Sequence, residues 1–361
     1  MKITMFIGSI RGGGAERVLC NLSNYLISNN HDVTILTMSD AMSTYSLNKE
    51  IKRVSLLHSN ERGGFLSNSF RRYSRLKKYI KSHNSETYLV MLPITIILLL
   101  SFRRLISGPI IAAERNDPAS YNAIYKFLLK KYALRADAWV FQTNTAMNWY
   151  GNKIKKKIVI PNAINTEFIK NEIYNGHRDK TIVAVGRLTE QKNYPLLIDS
   201  YSEIIKEFPE YRLIIYGAGP KEKELKEMVR ALSLESKVLF NGFVDNIGSR
   251  IEKSSLFVLP SNFEGMPNSL MEALALGIPC IATNCPCGGT EYLIDNNVNG
   301  ILVPVNNKKA LVEAMSKILR SVELQQKFSI NGHKIIERLK PNIIYDNWET
   351  FIKEVHILHE G

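Results

Sequence analysis

Cysteine is scarce in this chain of 361 residues: there are four, Cys20, Cys280, Cys285 and Cys287. None stands at zinc-ligand spacing from a histidine, and four scattered thiols do not make a disulfide framework, so a reducing cytoplasm is the expected setting. Cys285-Pro286-Cys287 reads as loop chemistry rather than a redox centre. The chain has no Asp-x-Asp and no histidine pair at metal spacing, so the usual sequence signs of a bound divalent cation are missing. It has no G-x-G-x-x-G with an acidic ribose reader, which argues against a nicotinamide oxidoreductase. It also lacks a long apolar run. The longest, Tyr88 to Phe102, is 15 residues with Pro93 inside it, short of the about 20 needed to span a bilayer. It reads as a strand Tyr88–Leu92, a turn near Pro93 and a buried helix. No signal peptide is expected, because Lys2–Ile7 runs at once into Arg11 and a glycine run and reads as a first strand.

Negative charge is short in the first half only. Residues 1–165 carry 24 Lys and Arg against 9 Asp and Glu, and residues 166–361 carry 23 against 25, so the formal charge of +13 lies wholly in the first half. Arg71, Arg72, Arg75, Lys77, Lys78 and Lys81 have no acid among them and alternate with Phe70, Tyr73, Leu76, Tyr79 and Ile80 at helical spacing. A basic amphipathic helix suits an anionic membrane surface or an anionic ligand. No recognition motif for nucleic acid accompanies the charge, so none is expected as a partner.

What is present is a soluble composition, 45% hydrophobic and 22% charged, in a chain long enough for two domains. Strands Lys2–Ile7, Asp32–Thr37, Tyr88–Leu92, Ile110–Ala113, Ala138–Phe141 and Ile158–Ile160 alternate with helices such as Ala15–Ser28 and Tyr121–Leu134. The second half repeats the alternation with strands Thr181–Val185, Arg212–Tyr216, Val238–Phe240, Leu256–Leu259, Cys280–Ala282 and Gly300–Val303, and helices Leu196–Phe208 and Lys221–Ser233. Alternation of this kind predicts an α/β protein with mostly parallel sheets covered on both faces. The expected division is a first domain over 1–165, a linker, a second domain over 180–340, and a C-terminal helix over 342–361 that packs back on the first domain.

Three motifs stand at strand ends, where open α/β sheets bind ligands. Gly8 to Glu16 contains Gly12-Gly13-Gly14 and lets a backbone approach a ligand closely. Gly186-Arg187-Leu188…Lys192-Asn193 sets two cations at the end of a buried strand, suited to a phosphate. Phe263 to Glu272 places Glu264 in a loop and Glu272 in the following helix, with Asn268 or Ser269 as the expected N-cap. The free N–H groups and positive dipole end of that helix favour an anion. The spacing of two glutamates by eight is weak by itself, since Glu227 and Glu235 share it in a solvated helix.

Taken together, Gly12 to Glu16, Gly186 to Asn193, Gly217-Ala218-Gly219-Pro220, Phe240-Asn241-Gly242-Phe243, and Glu264 to Glu272 with Glu291 and Gly300 resemble the retaining glycosyltransferases of the GT-B fold, family 4 (glycosyltransferase group 1), nearly end to end. The resemblance implies two Rossmann-like doubly wound parallel-sheet domains facing a central cleft. It implies that Arg187, Lys192 and Glu264 are the catalytic group: the cations stabilise the departing diphosphate, and Glu264 contacts the transferred sugar. Glu272 would hold the ribose. Gly13, Gly14 and Gly186, together with backbone groups of Gly265, Met266, Asn268, Ser269 and Leu270, would meet the donor, and Phe243 and Val244 would lie at the base. The family's retention is usually assigned to a front-face route, so Glu264 is not read as a glycosidase acid. Where many members carry a histidine, this chain has Ala113-Glu114-Arg115-Asn116-Asp117-Pro118, which resembles the branch that builds bacterial surface polysaccharides on polyprenyl-diphosphate carriers. Glu114, Arg115 and Asn116 are the expected acceptor or sugar contacts.

The function expected is therefore a cytoplasmic hexosyltransferase, peripheral on the inner face of the plasma membrane. It would move a hexose or N-acetylhexosamine from a UDP-sugar to a polyprenyl-diphosphate-linked saccharide of a capsule, O-antigen or exopolysaccharide. No cofactor and no metal are expected; fixed cations and a helix terminus would take the metal's place. The rival readings are a UDP-N-acetylglucosamine 2-epimerase, which needs no acceptor, and a non-catalytic partner subunit with the same fold.

Overall fold

The computed structural model describes residues 1–40, 44–61, 63–83 and 85–361. The chain divides into two compact units, Met1–Ala163 with Asn342–Gly361, and Ile164–Pro341.

The first unit is built on strands β1 (Lys2–Ile7), β2 (Asp32–Thr37), β3 (Lys52–Ser55), β4 (Thr87–Met91), β5 (Ile110–Ala113), β6 (Ala138–Phe141) and β7 (Lys157–Val159). They form one sheet in the order β3-β2-β1-β4-β5-β6-β7, and every pairing is parallel. Its helices are α1 (Gly14–Ser28), α2 (Phe65–Ser82), α3 (Pro93–Ser101), α4 (Ala123–Tyr132) and α5 (Asn144–Trp149). β4, β5 and β6 are buried along their whole length, as parallel strands covered on both faces must be.

The second unit has β8 (Asp179–Val185), β9 (Arg212–Tyr216), β10 (Val238–Phe240), β11 (Ser254–Leu259), β12 (Cys280–Thr283) and β13 (Ile301–Val303), in the order β10-β9-β8-β11-β12-β13 and again all parallel. Its helices are α6 (Tyr194–Glu207), α7 (Glu222–Ala231), α8 (Ile247–Ile251), α9 (Asn268–Ala275), α10 (Gly289–Leu293), α11 (Lys308–Arg320), α12 (Val322–His333) and α13 (Ile335–Leu339). The last helix, α14 (Pro341–Glu360), lies in the first unit beyond its first residue. Trp348 there is fully buried, and Tyr25 of α1 and Asn29 at its C-cap hydrogen-bond Asp346 and Glu349. Both sheets reverse strand order beside their first strand, at β1/β4 and at β8/β11, the switch points where doubly wound folds bind ligands.

Several elements differ from the sequence reading. β3 was not foreseen; its Lys-Arg-Val-Ser sequence is an exposed edge with no apolar alternation. α5 is a six-residue helix started by Thr143, whose side chain accepts from the Ala146 N–H. Pro93 is the first residue of α3 rather than a turn, since a helix's first N–H needs no partner. α9 begins at Asn268 with Pro267 in the N-cap position, so neither Asn268 nor Ser269 caps it. α4 is shorter than Tyr121–Leu134 and buries Leu129 alone, while Ile124 and Phe127 point outward, 70% and 65% exposed. No helix among the described residues is long and apolar enough to cross a membrane.

Candidate active site

The second unit's switch point gathers the loop after β8 and the loop after β11. The first starts at Gly186, whose N–H donates to the Tyr216 carbonyl and whose own carbonyl accepts from the Tyr194 hydroxyl. Gly217 lies so close that a Cβ there would stand 2.0 Å from the Gly186 oxygen, which makes glycine obligatory. Leu188 is fully buried and bonds the Ala218 carbonyl, so the loop is held on both sides of Arg187. Arg187 itself is exposed and has no ion-pair partner among the described residues.

Lys192 Nζ donates to Glu264 Oε1 at 2.6 Å, with the two side chains 13% and 8% exposed. The pair joins the β8 loop to the β11 loop across the switch point. Ser261 Oγ donates to the same oxygen at 2.7 Å, and Gln191 Nε2 reaches Glu264 Oε2 at 3.3 Å and the Phe263 carbonyl at 3.0 Å. The two loops are tied again by backbone and amides. Asn262 N–H donates to the Gln191 carbonyl, Asn262 Nδ2 to the Glu190 carbonyl, and Asn193 Nδ2 to both Asn262 Oδ1 and Asn306 Oδ1. Asn193 takes the left-handed conformation at φ 47° that lets the 3-10 turn Glu190–Lys192 feed α6. The sequence gives Asn193 only as part of the Lys192 motif, with no role, and does not single out Gln191, Asn262 or Ser261. Their signal, polar residues flanking a cation and a carboxylate, is also what an ordinary loop carries.

Glu272 is 6% exposed in the second turn of α9. The helix has no side-chain cap, and Pro267 O accepts from both Leu270 and Met271 N–H at 3.2 Å. Leu270 was expected to offer its N–H to the donor, but Pro267 holds it. Gly265 and Met266 are buried, and Asn268 and Ser269 are half-buried at the helix start. After β10, Phe243 stands 77% exposed with half-buried Val244 beside it.

In the first unit, the Gly13 N–H, expected beside a diphosphate, donates to the Tyr45 hydroxyl at 2.9 Å, and Gly14 opens α1. Glu114 is fully buried. Its carboxylate takes the Tyr121 and Tyr150 hydroxyls at 2.7 Å each and the N–H groups of Arg115 and Asn116. Burial pushes its pKa up, against the hydrogen bonds that favour the ion. Arg115 is 7% exposed, donates to the Ile160 carbonyl and to Asn162 Oδ1, and lies 5.6 Å from the Trp348 ring centroid. Burial lowers its pKa to about 10. Glu114 and Arg115, expected at the acceptor or sugar, are both buried inside the unit, where Arg115 joins the β5 loop to Asn162 and α14 and its Nε has no hydrogen-bond partner among the described residues. Asn116 alone of the three is partly open.

The basic set on α2 also changes. Arg75 is chelated by Glu61 at 2.7 and 2.5 Å and donates to the Leu56 carbonyl, so it is neutralised by an acid outside the helix. That hydrogen bond holds the Glu61 pKa near 2. Arg72 Nε donates to the Met38 carbonyl, and Arg71 is half-buried. Lys77, Lys78 and Lys81 are exposed and make no ion pair among the described residues. Of the apolar partners, Leu76, Tyr79 and Ile80 are buried, whereas Phe70 and Tyr73 are 73% and 46% exposed. The four cysteines are all buried. Among the described residues no group of three or more His, Cys, Asp or Glu is arranged to hold a metal ion.

Known proteins share this design. The family model "Glycosyl transferases group 1" matches residues 165–335, and "Glycosyltransferase Family 4" matches residues 12–168. An uncharacterized glycosyltransferase of Haemophilus influenzae is 26% identical over 97% of this chain and 99% of its own. The Campylobacter jejuni GalNAc-alpha-(1->4)-GalNAc-alpha-(1->3)-diNAcBac-PP-undecaprenol alpha-1,4-N-acetyl-D-galactosaminyltransferase is 26% identical over 98% of this chain and 99% of its own. Among solved structures, Anabaena HepE in complex with UDP is 16% identical, covers 98% of this chain and 100% of its own, and superposes with a TM-score of 0.81. The chain belongs to the group 1, family 4 glycosyltransferases, with the two parallel-sheet Rossmann-like domains of the GT-B fold.

Proposed function

We propose that the protein is a retaining, metal-independent glycosyltransferase. It moves a hexose or N-acetylhexosamine from a UDP-sugar to a polyprenyl-diphosphate-linked saccharide in bacterial surface-polysaccharide synthesis. The observation that carries the donor site is the Lys192–Glu264 pair, which spans the β8/β11 switch point with Arg187 exposed on the same loop. Two cations at a strand end suit a diphosphate and stabilise the charge that develops as it leaves. Glu264 beside them suits sugar hydroxyls, Glu272 in α9 suits the ribose, and exposed Phe243 offers a ring for the base. Retention follows the front-face route, in which the departing diphosphate itself takes the acceptor's proton, so no carboxylate need become a nucleophile. Support for UDP comes from HepE, whose structure holds UDP, and support for a lipid-diphosphate acceptor comes from the name of the Campylobacter relative.

The first unit is assigned the acceptor and the membrane. Its helix α2 exposes Phe65, Leu66 and Phe70, 82%, 81% and 73% open, toward one end and Lys77, Lys78 and Lys81 toward the other. α4 adds Ile124 and Phe127 among Lys126, Lys130 and Lys131. Apolar side chains among cations match the boundary of an anionic bilayer, which would place the protein on the inner face of the plasma membrane. The test is a panel of UDP- and GDP-sugars with polyprenyl-diphosphate-linked saccharides, in buffer with and without EDTA, read by mass spectrometry. The anomeric configuration of the product is then read by NMR. Transfer from a UDP-sugar that survives EDTA and keeps the α configuration supports the reading. Turnover of UDP-N-acetylglucosamine without acceptor, or inversion, overturns it.

A further inference from the structure

Two side chains with no role in the donor site above converge on Glu264. Ser261 Oγ donates to Glu264 Oε1 at 2.7 Å, and Gln191 Nε2 reaches Glu264 Oε2 at 3.3 Å. We infer that Ser261 and Gln191 are positioning residues that keep the Glu264 carboxylate aimed at the donor's sugar once Lys192 turns from Glu264 to the diphosphate. The inference rests on the donor-site reading just given.

Lys192 has one ammonium, and here it sits 2.6 Å from Glu264 Oε1. A diphosphate at this strand end is the stronger anion and competes for it. A carboxylate this buried that loses its cation needs other donors, because an unmet buried charge is costly. Ser261 and Gln191 are those donors. Ser261 is fully buried, and its carbonyl accepts from Thr283 Oγ1 at 2.5 Å and Cys285 Sγ at 3.4 Å, which holds its backbone beside Glu264. The Gln191 amide faces two acceptors, the Phe263 carbonyl and Glu264 Oε2, which fixes its nitrogen toward the carboxylate. Its backbone carbonyl is held by Asn262 N–H at 2.8 Å. The two carboxylate oxygens thus differ. Oε1 is anchored by the short Ser261 bond, and Oε2, with only the long Gln191 bond, retains capacity for a sugar hydroxyl.

The test uses the purified full chain and isothermal titration with UDP, UDP-glucose, UDP-N-acetylglucosamine and UDP-N-acetylgalactosamine. Variants are Ser261→Ala, Ser261→Thr and Gln191→Ala, the last at a half-buried position that tolerates truncation if Ser261→Ala does not fold. The expected result is UDP affinity within about twofold of wild type, with affinity for the best-bound UDP-sugar lowered about tenfold in both alanine variants. Ser261→Thr, which keeps the hydroxyl, should recover most of the loss. Equal losses for UDP and UDP-sugar would reduce both residues to general loop supports and overturn the inference, as would no loss at all. If the wild-type chain binds none of the four probes, the donor-site reading fails and the inference falls with it.

Discussion

Gly289, at the start of α10, approaches Gly265 so closely that a Cβ on it would lie 1.6 Å from the Gly265 carbonyl oxygen. The atom in the way is backbone, one residue past Glu264, so it cannot swing aside. Gly289→Ala must therefore push the Glu264 loop or the start of α10. Overpacking of this kind costs about 1–3 kcal/mol. The expected outcome is a lower midpoint of thermal unfolding together with at least a tenfold fall in kcat/KM for the donor. A variant with wild-type kinetics would show that the loop yields without disturbing Glu264.

Lys192→Ala leaves Glu264 enclosed without its cation. Breaking a buried pair from one side costs about 3 kcal/mol, whereas removing both partners costs less. Lys192→Ala should thus be less stable than Lys192→Ala/Glu264→Ala, as judged by urea unfolding. Both should lose activity by about a hundredfold or more, since a cation aimed at developing charge is removed. A double variant less stable than either single one would contradict the desolvation argument.

How much of this was legible in the sequence depends on what each residue's pattern could say. β1, β2, β5, β6, β9 and β10 announce themselves with the expected bounds, because continuous apolar runs between glycines and polar turns are how buried parallel strands read. β3 does not, because an exposed edge strand is selected for polar residues. Glu264, Lys192 and Arg187 could be picked out as candidates because Arg187 follows Gly186, Glu264 precedes Gly265, and all three lie in loops that leave buried strands. Glu114 and Arg115 looked like the same kind of residue, and only the fold shows Tyr121, Tyr150, Asn162 and Trp348 arriving to enclose them. Arg75 looked free because its neutralising partner, Glu61, comes from a different segment. A sequence lists charges along a line; whether they are spent depends on what folds against them.

Stability at low pH should report the seam between α1 and α14. Burial tends to raise the Glu349 pKa, but Lys353, His31 and Asn29 outweigh it and hold it to about 2, against an ordinary value of 4.5. A depressed carboxyl stabilises the fold above its unfolded value, and that contribution disappears as pH falls through the folded one. The difference in unfolding midpoint between wild type and Glu349→Gln should be full above about pH 5. It should shrink progressively from pH 4.5 toward pH 2. A difference independent of pH over that window would mean that the carboxylate is not the group responsible.

Membrane attachment should have two separable parts. Lys77, Lys78 and Lys81 supply long-range attraction, worth about 1 kcal/mol per basic residue near an anionic surface and screened by salt. Phe65, Leu66 and Phe70 supply apolar burial, which salt does not screen. Reversing the three lysines to glutamate should abolish binding to vesicles containing phosphatidylglycerol in dilute buffer and remove most of its salt dependence. Changing Phe65, Leu66 and Phe70 to serine should weaken binding at every salt concentration while leaving the slope with salt intact. The double change Arg75→Ala/Glu61→Ala in the wild-type chain should leave the slope unchanged, because the pair it removes carries no net charge. If the serine variant binds like wild type, the exposed apolar side chains of α2 do not enter the bilayer, and the charge alone does the docking.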